Sequence, residues 1–73
     1  MNVQLECLGK IIQGKQTGRY IMISRDELAD GFFLNIYAWR DSRSEPLLAE
    51  WFPSLEAIHY FARDRDWQVD WPA

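Results

Sequence analysis

The sequence is poor in the residues from which small domains build covalent and metal cross-links. Among its 73 residues there is one cysteine, Cys7, and one histidine, His59. A single cysteine excludes a disulfide within the chain, and the two residues together exclude a zinc site with four cysteine or histidine ligands from one chain. We therefore expect a domain that depends on its hydrophobic core and holds no metal and no cofactor.

The chain also has little that would direct it to a membrane. Residues 1–7 show no basic start followed by an apolar run, so we expect no signal peptide. No apolar run approaches the ~20 residues that a bilayer-spanning helix needs. A lone cysteine suits a reducing compartment. These features together predict a cytoplasmic protein.

Apolar and aromatic residues are abundant. Hydrophobic residues make up 48% of the chain and aromatic residues 15%, including four tryptophans. This composition excludes intrinsic disorder and suffices for a single domain over residues 1–73. The formal net charge is −3, which leaves few cations to neutralise phosphates and makes nucleic-acid binding an unfavoured function.

Charge is unevenly spread along the chain. Four basic residues occur between positions 10 and 25 with no acidic residue among them, and three acidic residues follow at once. They are Lys10, Lys15, Arg19 and Arg25, then Asp26, Glu27 and Asp30. This order allows a local basic strip, although the residues of one sheet face usually mix the two signs.

Five segments have strand-like patterns. Val3, Leu5 and Cys7 alternate with polar residues, and the apolar character continues to residue 12 past a bend or bulge at Gly9. A glycine-bracketed polar segment, 14–18, predicts a hairpin loop. Residues 24–30 allow one helical turn before the turn signal at Gly31. The predicted strands are 3–12, 20–23, 32–39, 47–52 and 67–71, with 32–39 as the central one.

A helix is predicted between the fourth and fifth strands. Ser54 is suited to cap its first turn, and the helix should end near Arg65 or Asp66. Its apolar residues, Leu55, Ile58, Phe61 and Ala62, lie on one side. The order β-β-β-β-α-β predicts an α+β fold. In it, an antiparallel meander of about four strands carries one helix on one face, and the final strand returns beside an earlier one.

One helix covers one face of a sheet. We assign Phe32, Leu34 and Ile36 to the helix side, which leaves alternate aromatic side chains on the other face. Three bare aromatic rings would expose about 450–750 Å², whereas the largest apolar patch of a monomer is about 300–600 Å². The predicted protein-binding residues are Phe33, Tyr37, Trp39 and Tyr20, with Glu45 and Glu50 as an acidic rim. Alternatively, the 24–31 loop or the N-terminal strand covers this face.

The main hypothesis is a non-enzymatic protein-binding module whose partner is another protein or a second copy of the chain. One alternative is a single-stranded nucleic-acid binder. Its stacking platform with cations would consist of Lys15, Arg19 and Tyr20 beside Tyr37 and Trp39. Another is a small enzyme or enzyme subunit whose site, built on His59, is completed across a dimer. The sequence around His59 offers no obvious set of nucleophile, base and orienting group, so a partly buried structural histidine is favoured, as is a buried structural thiol for Cys7. A purely structural domain also remains open.

Three segments carry a resemblance to known proteins: residues 31–37, 52–58 and 67–71. There a glycine-led strand precedes a Ser-Leu-Glu helix and a Trp-ended final strand. The chain resembles, over roughly its last two-thirds, small uncharacterised bacterial α+β domains, some of which look like immunity partners of secreted toxins. The resemblance implies an immunity or accessory protein, and the acidic balance fits an inhibitor of a basic nuclease toxin. It assigns no functional residue.

Overall fold

Five strands and one helix make up the computed structural model, which describes residues 2–72. They follow the predicted order, β-β-β-β-α-β, in a compact α+β fold. Their bounds are β1 (Gly9–Gln13), β2 (Tyr20–Asp26), β3 (Gly31–Tyr37), β4 (Leu48–Phe52), α1 (Leu55–Asp64) and β5 (Gln68–Asp70).

The strands form one antiparallel sheet in the order β4-β3-β2-β1-β5. The first four strands are a meander, and β5 returns beside β1 as expected. The central strand is β2, so the expectation that β3 is central was wrong. β3 is apolar on both faces, and that composition is typical of a central strand. It nevertheless lies next to the edge strand β4.

The β2–β3 hairpin sets the register of the sheet. Seven residue pairs run without interruption from Tyr20 opposite Tyr37 to Asp26 opposite Gly31. The connecting segment is a turn over residues 27–30 and not the helical turn that the sequence allowed. The Asp26 carboxylate accepts the backbone N–H of Leu28 at 3.0 Å and so closes the turn.

The hydrophobic core lies between the sheet and α1. The predicted helix side is confirmed, because Ile58 and Ala62 are buried and Phe61 is half-buried against the core. The Phe61 ring meets the Phe52 ring edge-on with centroids 4.9 Å apart, and the Trp67 ring at 5.6 Å. The buried core consists of Ile11, Ile21, Ile23, Leu34, Ile36, Phe52, Ile58, Ala62 and Trp67.

The helix begins and ends where the sequence predicts. The Ser54 hydroxyl accepts the backbone N–H of Ala57 at 3.1 Å, and the Arg65 N–H closes the C-terminal end on the Ala62 carbonyl. Within residues 2–72, α1 with its 10 residues is the only helix, and it lacks the length and apolar content needed to cross a membrane.

Replacing Ser54 by alanine is expected to lower the free energy of unfolding by about 1 kcal/mol, because the first turn loses its side-chain acceptor. Urea unfolding followed by far-UV circular dichroism measures this loss. Ser42→Ala, at an exposed position in the β3–β4 connection, is the matched control and should change the free energy by under about 0.5 kcal/mol. Equal losses in the two variants would contradict the capping role.

The N-terminal segment is not the strand that its alternation predicted. Val3, Leu5 and Cys7 are half-buried and alternate with the exposed Gln4 and Glu6, but Leu5 makes only a single parallel bridge, to Ile23. Glu6 has φ 63°, which breaks the extended backbone. Its N–H donates to the Ile23 carbonyl at 2.9 Å, and its carboxylate accepts the Arg25 N–H at 2.8 Å. These bonds occupy part of the β2 edge that β1 does not reach.

Candidate protein-interaction face

The sheet face opposite α1, called the open face below, carries its side chains in rows that the register fixes. Directly opposite residues on neighbouring antiparallel strands share a face. Successive rows lie about 6.8 Å apart along the strands. The rows are Asp26 with Gly31, then Ser24 with Phe33 and Trp51, then Met22 with Asn35 and Ala49, then Lys10 with Tyr20 and Tyr37.

The most exposed aromatic pair of these rows is Phe33 with Trp51. The two residues lie directly opposite one another on β3 and β4 and are 41% and 45% exposed. The Trp51 indole N–H donates to the Asp26 carboxylate at 3.1 Å. The indole ring lies against Gly31 and leaves no room for a β-carbon there. Trp51 is therefore held in one orientation while much of its ring remains accessible.

The burial of Tyr37 differs from the sequence prediction. It lies on the open face as predicted, but it is only 4% exposed and is not available for contact. The Asn35 carboxamide donates to its hydroxyl oxygen at 3.0 Å, and Tyr20 lies opposite it on β2. The Arg40 guanidinium lies 5.0 Å from the centre of the Tyr20 ring. The low exposure of Tyr37 and its bond from Asn35 give it a structural role.

Trp39 and Glu45 lie in the connection between β3 and β4. Trp39 is 71% exposed, but it follows the end of β3 by two residues, so no strand register assigns it to a face. Glu45 is exposed. In the same connection the backbone N–H of Arg43, with help from its side chain, bonds the Asp41 carboxylate and lowers the pKa of that group.

The face on which Glu50 lies also differs from the sequence prediction. It is exposed, but it lies opposite Leu34, whose side chain is in the core between sheet and helix. Opposite residues share a face, so Glu50 is on the helix side. It therefore does not form an acidic rim around the open face.

Trp51 was not among the predicted contact residues, although the structure makes it the largest ring on the open face. The sequence shows that Trp51 and Phe52 alternate, but it does not show how β4 is aligned with β3. The residue of the sequence that could have placed Trp51 was its neighbour Phe52, which comes shortly before the helix and packs on Phe61. Had Phe52 been assigned to the helix side, Trp51 would have followed on the open face.

His59 and Cys7 are both more exposed than the structural roles favoured by the sequence would require. His59 is exposed, not partly buried, and lines a groove of about 530 Å³ between α1 and the β1–β5 end of the sheet. The described lining residues include no serine, threonine or cysteine that could act as a nucleophile. Cys7 is half-buried, not fully buried, and its thiol lies 3.5 Å from the Leu5 carbonyl. Within residues 2–72 no group of three or more acidic, histidine or cysteine side chains is placed to hold a metal.

Comparisons of the chain with protein-family models, with curated proteins and with solved structures gave no match. The resemblance to bacterial immunity domains therefore stays a prediction.

Proposed function

We propose that this domain is a non-enzymatic protein-binding module whose contact surface is the open face. The observation that carries the proposal is the exposed Phe33–Trp51 pair, held rigid by Asp26 and Gly31 on the side of the sheet that α1 leaves uncovered. Aromatic residues are enriched where protein interfaces gain most of their energy. Because Trp51 is already oriented, a partner would not have to order its side chain on binding.

The size of the pair supports a binding role. The exposed fractions of Phe33 and Trp51 leave roughly 150–200 Å² of ring surface in water. Covering that surface would contribute about 4–5 kcal/mol before the costs of association are subtracted. A micromolar complex requires about 8 kcal/mol. The pair alone would therefore not hold a complex together, and the rest of the contact surface has to supply the remaining free energy and offset the cost of association.

The charges of the open face favour an accessory role over inhibition of a basic nuclease. Lys10 and Asp70 lie opposite one another at one end of the face, Arg40 covers Tyr20 at the same end, and Asp26 lies at the other end. The face is thus balanced in charge and not acidic. We place the protein in the cytoplasm as part of this proposal, on the strength of its lone Cys7.

Site-specific photo-cross-linking tests the proposal. With a benzoyl-phenylalanine at position 33, we expect cross-linked adducts in cells that express the chain. The same group at position 56, exposed on the helix side, should give none. Ala49→Lys places a charge in the middle of the open face and should reduce the adduct at least about tenfold, which corresponds to 1.4 kcal/mol. Glu50→Lys, its neighbour on the opposite face, should leave the adduct unchanged.

Both lysine variants replace exposed residues, so neither removes core packing, and thermal unfolding checks that each remains folded. Equal adducts from positions 33 and 56, or no adduct from position 33, would overturn the proposal. The mass of the adduct distinguishes a second copy of the chain from a different protein.

One observation keeps single-stranded nucleic acid as a second candidate partner. Lys10 shares a row with Tyr20, and Arg40 lies over the same ring, so cations flank an aromatic side chain. The burial of Tyr37 removes one stacking ring from that platform. A labelled single-stranded oligonucleotide whose fluorescence anisotropy is unchanged at low salt would dismiss this candidate.

A further inference from the structure

Residues 3–8, called the arm below, meet β2 in a strained conformation. Val3 and Leu5 pack against the core, and the backbone turns at Glu6 with φ 63° before β1 begins at Gly9. A residue with a β-carbon rarely adopts such a φ, because its β-carbon then crowds the following carbonyl oxygen. The arm is therefore held bent by its contacts and not by the preference of its own backbone.

A straight arm would continue the ladder between β1 and β2. The Ile11 N–H donates to the Arg19 carbonyl at 2.9 Å, which identifies the hydrogen-bonded pairs of this ladder. Such pairs recur at every second residue of an antiparallel ladder, so the next one joins Gly9 and Ile21. If the arm were straight, the series would extend along β2 toward its end at Asp26.

The bent arm satisfies with one residue the β2 groups that a straight arm would satisfy with two. The Glu6 N–H donates to the Ile23 carbonyl at 2.9 Å, and the Glu6 carboxylate accepts the Arg25 N–H at 2.8 Å. In the continued register, the Cys7 N–H would donate to the same carbonyl, and the Leu5 carbonyl would accept the same N–H. Glu6 thus substitutes for a longer β1.

We propose that the arm is a two-state element: it exchanges between the bent conformation and a straight one, in which β1 continues antiparallel to β2 and extends the open face. Neither state leaves the two β2 groups unpaired, so the exchange costs no backbone hydrogen bond there. The bent state keeps Val3 and Leu5 in their contacts with the core. The straight state releases the strain at Glu6 and matches the alternation of apolar and polar residues in the arm. These opposing preferences keep the two states close in free energy.

The straight state enlarges the open face. The rows of Met22 and Ser24 now end at β2, because β1 pairs with β2 only from Gly9 onward. In the straight state Leu8 would lie opposite Met22. Glu6 would lie opposite Ser24, in the row that holds the exposed ring pair. A partner of the open face would bury more surface against this state and would therefore favour it. This consequence rests on the function proposed above, whereas the exchange itself does not.

Two substitutions of Glu6 act on the two states in opposite directions. Glu6→Gly and Glu6→Val both remove the carboxylate that accepts the Arg25 N–H. Glycine adopts a positive φ without strain, whereas valine is branched at its β-carbon, is a clear outlier at such a φ and is favoured in strands. We expect the ratio of straight to bent arm to be at least about tenfold higher in Glu6→Val than in Glu6→Gly.

Nuclear magnetic resonance distinguishes the two states. Residue 6 and Ser24 form a pair without hydrogen bonds in the straight state, and the α-protons of such a pair lie close enough for a strong nuclear Overhauser effect. We expect this signal in Glu6→Val, together with slowed exchange of the Cys7 N–H, and we expect neither in Glu6→Gly. The amide signals of the core strands show that both variants remain folded. If the valine variant stays bent, or if its arm detaches without pairing with Ser24, the two-state proposal is wrong.

Photo-cross-linking from position 33 tests the effect on the open face separately. Glu6→Val should give at least about threefold more adduct than Glu6→Gly, because more of the chain is in the state that the partner favours. Equal adducts from a straight and a bent arm would overturn the control of the open face by the arm. If both states are observed but position 33 gives no adduct with the native arm, the binding face is wrong and the two-state arm stands. If adducts form but the valine variant stays bent, the binding face stands and the two-state arm is wrong.

Discussion

Replacing Gly14 by alanine is expected to lower the free energy of unfolding by about 3–4 kcal/mol. Gly14 has φ 93°, a conformation that costs a residue with a β-carbon about 1–2 kcal/mol. In addition, a β-carbon at this position would overlap the backbone carbonyl oxygens of Arg65 and Asp66. Because these atoms belong to the backbone at the end of α1, they cannot move aside as a flexible side chain would.

The overlap matters because the 14–18 loop docks on the end of the helix. The Lys15 N–H donates to the Arg65 carbonyl at 3.0 Å, and the Trp67 indole N–H donates to the Lys15 carbonyl at 2.6 Å. Moving the loop away to admit a methyl group would break both bonds. Each lost bond to a buried or half-buried group costs about 1 kcal/mol or more.

Gly18→Ala is the matched control. Gly18 belongs to the same loop and has nearly the same φ, 92°, but a β-carbon there would meet nothing within 4 Å. It should cost only the backbone strain, about 1–2 kcal/mol. Urea unfolding of the two variants separates strain from docking. If both lose the same free energy, the contact between loop and helix does not contribute to stability.

The parts of the fold that the sequence predicted depend on local signals. Ser54 caps the helix through an atom three residues away, and the glycines at 14 and 18 adopt the positive φ values that their hairpin loop needs. The sequence analysis assigned Tyr20 to the open face, and its pairing with Tyr37 confirms this. Each of these features requires information from only a few neighbouring residues.

The parts that the sequence did not predict depend on contacts between distant segments. Val3, Leu5 and Cys7 are less exposed than Gln4 and Glu6, as the alternation predicts. The positive φ of Glu6 nevertheless stops the segment from forming a strand. Glu6 keeps that conformation because it bonds β2, 17 or more residues away along the chain. No pattern within residues 3–7 contains that information.

In the candidate site too, the features that the sequence predicted are local, and those that it did not predict depend on distant segments. Phe33 was assigned to the open face correctly because the assignment needs only the period of one strand. The exposure of Trp51 and the helix-side position of Glu50 depend on the register between β3 and β4, and the burial of Tyr37 depends on Asn35 and Tyr20. Sequence alternation finds the faces of a strand, but pairing decides which residues remain accessible on them.

Replacing Trp67 by alanine is expected to have the largest effect of any side-chain truncation, a loss of about 3–5 kcal/mol. The ring is buried against Phe61, and its N–H is bonded to the Lys15 carbonyl, so the change leaves a cavity and a half-buried carbonyl without its partner. A domain of 73 residues has a total stability of about 4–11 kcal/mol. The variant should therefore lose between about a quarter and all of its stability, and its urea midpoint should fall accordingly.

Trp39→Ala is the matched control for this truncation, because it removes the same side chain from a position that is 71% exposed. It should change the free energy of unfolding by under about 1 kcal/mol. Urea unfolding followed by circular dichroism avoids the fluorescence change that both variants share. If Trp67→Ala retained most of its stability, the packing between helix and sheet would not depend on this ring. That outcome would contradict the loop docking argued for Gly14 as well, since both depend on the Trp67 bond to Lys15.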